Sequence, residues 1–285
     1  MRRGRFCILS IGLACSACEA GCSVESGSPP VTPIVADVST AGDHSAAEYA
    51  FRWILPRAGL DSAQQVIDAL RGSAGLAKPA KARTIAYYAV ANPSSLPEGY
   101  EANLRRRSDR KDGDDIYEYT YKVRGPAPRP ASLSSPSVCT ALSVPVEEET
   151  DFTVRAEAGA TKANVSLSCS IETSSEHVPE GFQRVSPTPR PCKISMARSK
   201  LEWTSVPRFA DASLGAREAI KIEAWTFQSS AGETHSLLEV SWKASTAPAD
   251  ARKFRELIQP LLVGADDAAP PSKEKMAEQC DSGHW

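Results

Sequence analysis

LRRRSDRKDGDDIYEYTYKVR, residues 104–124, sorts charged and aromatic side chains by strict alternation about a turn signal. Tyr117, Tyr119, Tyr121 and Val123 fall on one face of an extended strand, and Glu118, Thr120, Lys122 and Arg124 on the other. Asp112-Gly113 precedes this strand, and glycine accepts the positive φ that a tight turn needs. Beyond the turn, Arg105 and Arg107 stand two apart and share a face. The stretch predicts a hairpin with one apolar and one cationic face. Whether the cationic face lines a cavity or meets bulk water decides what the protein does.

The same design recurs on either side. Residues 46–55 alternate, with Tyr49, Phe51, Trp53 and Leu55 opposite Glu48, Ala50 and Arg52. A helix is expected over Ser62–Arg71, with Ala63, Val66, Ile67 and Leu70 at helical spacing, an Asp61/Ser62 cap and Gly72 as its stop. Residues 83–90 read as a strand. A second hairpin pairs Ile220–Phe227 with Leu237–Ser245, where Leu238, Val240 and Trp242 oppose Glu239, Ser241 and Lys243. A strand around Arg198–Thr204 sets Arg198 and Lys200 opposite Leu201 and Trp203. A closing helix over 250–262 carries Phe254, Leu257, Ile258 and Leu261, and Pro260 should distort its end. Residues 140–155 read as one or two strands, with Glu147–Glu149 as a solvated turn or strand edge. Residues 156–192 read as a loop-rich insertion.

At 285 residues, with 41% hydrophobic and 24% charged, the chain has the composition of an ordinary globular protein. Its 33 Lys plus Arg nearly cancel 35 Asp plus Glu, so no global basic field points to nucleic acid, and any anion site must be local. Arg2, Arg3 and Arg5 before the apolar run 6–14 have the layout of a secretory signal, placed at 1–22. Cys15, Cys18 and Cys22 each follow a small residue, which resembles a bacterial lipobox without its usual leucine. Export to the periplasm or cell envelope is the expectation, with a lipid anchor as the only membrane contact. Residues 23–43 read as a flexible tether, 44–264 as the domain and 265–285 as a tail that Cys280 can tie down. Cys139, Cys169, Cys192 and Cys280 suit up to two disulfides, in any of three connectivities.

The order of these pieces resembles the CYTH superfamily, the triphosphate tunnel proteins. Glu48-Tyr-Ala50-Phe-Arg52 falls where that family has Glu-x-Glu-x-Lys. Leu104-Arg105-Arg106-Arg107 matches its Leu-Arg-x-Arg, and Thr120-Tyr121-Lys122 its Thr-x-Lys. Glu223 and Glu239 fall where its late acidic strands lie. The resemblance spans about residues 46–262, and its specific motifs lie within 46–124. It implies an α+β fold: a mostly antiparallel β-barrel or strongly curved sheet with helices packed outside and a charged interior. By the same resemblance Arg52, Arg105, Arg107 and Lys122, joined by Arg198 or Lys200, would grip a small anionic or phosphorylated ligand. Glu48, Glu223 and Glu239 would be the acids for a divalent metal, magnesium or manganese.

Departures from the family pattern shift the expected activity. Ala50, Ser241 and Trp225 stand where further acids belong, and Lys243 shares a face with Glu239. The cationic half of the site is better kept than the metal half, which favours anion binding over efficient metal-dependent hydrolysis. Two alternatives follow: an envelope lipoprotein acting as a carrier or interaction scaffold, and a divalent-metal-dependent triphosphatase. In the scaffold reading Trp53, Tyr119 and Trp242 line the interior instead of the cations.

Overall fold

In chain order the elements are β1 (Ala46–Leu55), α1 (Ala63–Arg71), β2 (Lys81–Ala89), β3 (Glu101–Lys111), β4 (Asp114–Pro126), α2 (Ser137–Ala141) and β5 (Glu147–Val154). After these come β6 (Thr161–Thr173), α3 (Glu180–Gln183), β7 (Thr188–Pro189), β8 (Lys193–Glu202), β9 (Ala219–Gln228), β10 (Thr234–Ser245), α4 (Pro248–Ile258) and α5 (Lys273–Ser282). This computed structural model describes residues 46–55, 62–71, 81–91, 96–111, 113–155, 161–202, 219–245, 248–262, 270–283 and 285. The expected signal, the tether, Asp61, Gly72 and the end of the Arg198–Thr204 strand lie outside the described residues.

The strands run in the order β3-β4-β6-β5-β1-β10-β9-β8-β2, and β2 returns to pair with β3. The result is a closed, mostly antiparallel barrel of nine strands, with β7 as a short addition beside β2. Closure leaves no unpaired sheet edge in the ring. One neighbour pair, β1 with β5, is parallel. The opening hairpin is β3–β4, in the register Lys111↔Asp114 to Glu101↔Arg124, and Gly113 takes φ +98° in its turn.

Alternation fixes which face each strand buries. The Tyr49, Phe51 and Trp53 face of β1 joins Leu238, Val240 and Trp242 of β10 under α1 and α4. Ser62 caps α1, its Oγ accepting from the Gln65 amide at 3.2 Å. In α4 Phe254, Leu257 and Ile258 are buried, and a 3-10 turn over Gln259–Leu261 accommodates Pro260. Each such buried side chain contributes about 1.5–3 kcal/mol. Tyr119, Tyr121 and Val123 of β4 form a second outer core with Val138 of α2 and Phe182 of α3. Gly125 lies under the Tyr100 ring, 2.4 Å from where a Cβ would stand.

Two segments differ from expectation. Residues 156–192, expected to be a loop-rich insertion, supply β6, a full barrel stave between β4 and β5 whose Val165 and Leu167 are buried. Its Ser-rich alternation hides a strand that has little apolar content on its inner face. Residues 273–282, expected to be tail, form α5, with Met276, Ala277 and Cys280 buried against Ile85, Met196, Trp225 and Phe227. Pro270-Pro271 there precedes a helix start, and the Ser272 side chain caps α5 by accepting from Lys275. Disulfides join Cys139 to Cys169 and Cys192 to Cys280, which selects one of the three connectivities.

Candidate functional site

The first turn of α5 locates the barrel interior. Lys273 reaches Glu223 of β9 at 3.0 Å and Glu239 of β10 at 2.7 Å, while its neighbour Glu274 faces Arg124 of β4 at 3.8 Å. β4 and the β9–β10 pair lie on opposite arcs of the ring. Side chains from opposite arcs meet around one helical turn only inside the barrel. The charged faces therefore point inward. Trp53, Tyr119 and Trp242, which would line the interior of a scaffold, instead belong to the outer cores.

The expected site residues fall into distinct settings. Arg52 and Glu239 are cross-strand partners joined by a short ion pair. Arg198 holds Glu223 at 2.6 Å across the β8–β9 pair. Lys122 and Arg124 both reach Oδ2 of Asp151, at 3.2 Å each. Glu48 accepts from Ser241 at 3.0 Å and Lys221 at 3.4 Å. Among the described residues Arg107 has Glu118 as its ion-pair partner, at 3.7 Å. Among the described residues no carboxylate lies within ion-pair distance of Arg105, and the Nε atoms of Arg105 and Arg107 are buried without a hydrogen-bond partner. Lys200 stands apart: it is exposed at the far end of β8, opposite Lys221.

Electrostatics follow the pairing. Burial alone would raise the Glu48 carboxyl, but Lys221, Lys273 and Lys243 more than offset it and hold it down at about 2. Glu223 is likewise well below the ordinary carboxylate range, with burial outweighed by Lys273 and Arg198. Glu274 is drawn down to about 2, since Arg124, Lys122 and Arg105 overcome its desolvation. Arg107 moves the other way. Burial and the like charge of Arg105 depress it to about 10.

A divalent metal does not suit these acids. Both carboxylate oxygens of Glu223 are already engaged, by Arg198, Lys273 and the Trp225 Nε1, and Glu239 is held by Arg52 and Lys273. The Lys273 ammonium thus sits between the two late-strand acids, 4.5 Å above the Trp225 ring. Glu48, Glu149 and Asp151 do place ligand atoms within 4.8 Å of one another. Lys221, Lys243, Lys122 and Arg124 satisfy that cluster, so its charge is neutralised by side chains. Glu149 also corrects an expectation: it is half-buried on the inner face, with burial and Glu48 raising its carboxyl, and is no solvated edge.

A cavity of about 410 Å³ opens where β1, β3, β4, β5 and β6 meet the start of α5. Arg52, Arg124, Arg155 and Lys162 line it, with Asn103, Asn164 and Thr153 as neutral polar groups and Glu101 and Glu274 as its acids. Sequence reasoning put Arg124 on the cationic face without naming it a ligand, and missed Arg155, Lys162, Asp151 and the Lys273-Glu274 pair. Period-two alternation through Glu149, Asp151 and Thr153 was the available signal for Asp151. Nothing local marks Arg155 or Lys162, which the pairing of β1 with β5 and of β5 with β6 brings beside Arg52.

The fold and interior define a closed β-barrel with buried charged residues. No family model matches the chain, and no curated protein matches it. Among solved structures it is similar to the PH1819 protein from Pyrococcus horikoshii OT3, with 12% identity, a TM-score of 0.38, and coverage of 81% of this chain and 99% of that one.

Proposed function

We propose that this chain is a degenerate CYTH-like barrel that binds a small phosphorylated anion in the mouth cavity and does not hydrolyse it efficiently. The observation that carries this reading is the cavity itself: four cationic side chains against two carboxylates in about 410 Å³. That volume lies in the range of small-molecule sites, and arginine forks suit phosphate oxygens. The Nε atom of Arg105, further along β3 from the cavity, is buried without a hydrogen-bond partner and supports it, because buried donors normally find acceptors; Arg107 instead lines a separate cavity of about 160 Å³ with Arg83 and Glu118. Engagement of Glu223 and Glu239 by Arg198, Arg52 and Lys273 argues against metal-assisted hydrolysis. Export to an oxidising compartment is part of the proposal and is supported by the two disulfides.

A thermal-shift titration with pyrophosphate, tripolyphosphate and ATP, with and without magnesium or manganese, tests this reading on wild type, Arg124→Ala and Arg105→Ala. Stabilisation of wild type that weakens in Arg124→Ala, without phosphate release, is the expected result. Absence of stabilisation by all three ligands overturns it, and metal-dependent phosphate release turns the assignment to a triphosphatase.

A further inference from the structure

The two halves of α5 are held in different ways. Its C-terminal half is fastened to the barrel by the Cys192–Cys280 disulfide, by Arg190 reaching Glu278 at 3.1 Å and Asp281 at 2.9 Å, and by Asp281 accepting from the Cys192 amide at 3.0 Å. The first turn has no covalent anchor and is held through Lys273, by its ion pairs with Glu223 and Glu239. It projects two opposite charges into the interior, and each charge meets a region of opposite sign: Lys273 the acids Glu223 and Glu239, Glu274 the Arg124 side of the cavity.

The Glu274 contact is the loose one. Its 3.8 Å separation from Arg124 compares with 2.7 Å for Lys273 and Glu239. A single carboxylate at that distance forfeits the bidentate geometry that a phosphate offers an arginine. Resting on the anion-binding reading above, we propose that Glu274 is a tethered occupant of the anion site: an incoming phosphate takes Arg124 by displacing the Glu274 carboxylate, and the anchored C-terminal half of α5 stays in place. A competitor built into the chain acts at the effective concentration set by its short tether, of millimolar order. It therefore sets a threshold, so that weakly bound anions such as inorganic phosphate are excluded and only ligands with several phosphoryl groups enter.

The test measures tripolyphosphate affinity by isothermal titration calorimetry on wild type, Glu274→Gln and Glu101→Gln. Glu101 lies in the same cavity, so both substitutions remove one negative charge from it and only the first removes the competitor. Glu274→Gln is expected to bind about tenfold more tightly than wild type, and Glu101→Gln at most about twofold more tightly. Hydrogen exchange supplies the second readout: saturating tripolyphosphate should speed exchange of the Glu274 amide, which its own carboxylate covers, in wild type while 276–282 stay protected. Equal tightening by the two variants, or slower exchange at Glu274 on binding, overturns the tethered occupant and leaves the binding site standing. Failure of all three proteins to bind tripolyphosphate overturns both.

Discussion

Lys273 and Glu239 meet at 2.7 Å inside the barrel, although one opens the last helix and the other belongs to the last strand. Both side chains are nearly buried, at 15% and 3% exposure. Removing one partner of such a pair leaves an uncompensated charge, so Lys273→Ala should destabilise the protein by about 3 kcal/mol. Urea denaturation followed by Trp fluorescence reads this directly. A loss under about 1 kcal/mol would mean that Arg52 and Arg198 suffice for the two acids.

Acid should unfold the protein through the same interior. Glu48 and Glu274 sit at about 2, against an unperturbed value of 4.5. Between those limits the unfolded chain binds more protons than the folded one, so stability is full above pH 4.5 and falls as pH drops toward 2. Denaturation midpoints measured from pH 6 to about pH 2 should show this slope, and Glu274→Gln should make it shallower. An unchanged slope in the variant would detach Glu274 from the cationic wall.

The two disulfides should not be equivalent. Cys192–Cys280 closes an 88-residue separation and Cys139–Cys169 one of 30. Loop-closure entropy gives about 4.6 and about 3.6 kcal/mol respectively. The Cys192→Ser/Cys280→Ser protein should therefore have the lower melting temperature of the two double variants. It should also become sensitive to proteases near Lys273 and Lys275, which the other pair does not guard.

Gly125 is expected to resist replacement. Its Cβ position falls 2.4 Å from the Tyr100 ring, and the Tyr100 hydroxyl donates to the Pro126 carbonyl at 2.6 Å. An added methyl forces that ring off a bond it already makes, so Gly125→Ala should cost about 1–3 kcal/mol. Thermal melting checks it, and Tyr100→Ala in the same background should relieve part of the strain.

Much of the barrel was legible because period-two alternation in β1, β3, β4, β9 and β10 declares two faces. Alternation put Arg52, Arg105, Arg107, Lys122, Arg198, Glu48, Glu223 and Glu239 on the charged faces, and only the resemblance to the CYTH superfamily turned those faces inward. What alternation cannot declare is pairing at a distance. β6 escaped notice because Ser166, Ser168 and Ser170 leave the middle of its inner face without apolar or charged marks, which stand only at its ends, at Lys162 and Glu172. α5 escaped because Pro270-Pro271 looks like the end of a domain, and its importance lies in what it touches: two acids and an arginine from remote strands. The exposed position of Lys200 illustrates the converse, a residue of the right type and parity set too far along its strand.

The seating of β1 between β10 and β5 has a consequence for how the molecule is made. The first stave shares its longest ladder with the last, β10, Ala46 opposite Ser245 through Leu55 opposite Ser236. A chain emerging from its N-terminal end must hold that strand unzipped until nearly the whole sequence has appeared. Closure of such non-local ladders is slow, and the waiting strand carries Tyr49, Phe51 and Trp53 uncovered meanwhile. Pairing of β1 with β10 and the Cys192–Cys280 disulfide both depend on residues near the C-terminal end, so the first strand and the segment bearing Cys192 can be completed only when nearly the whole chain is present.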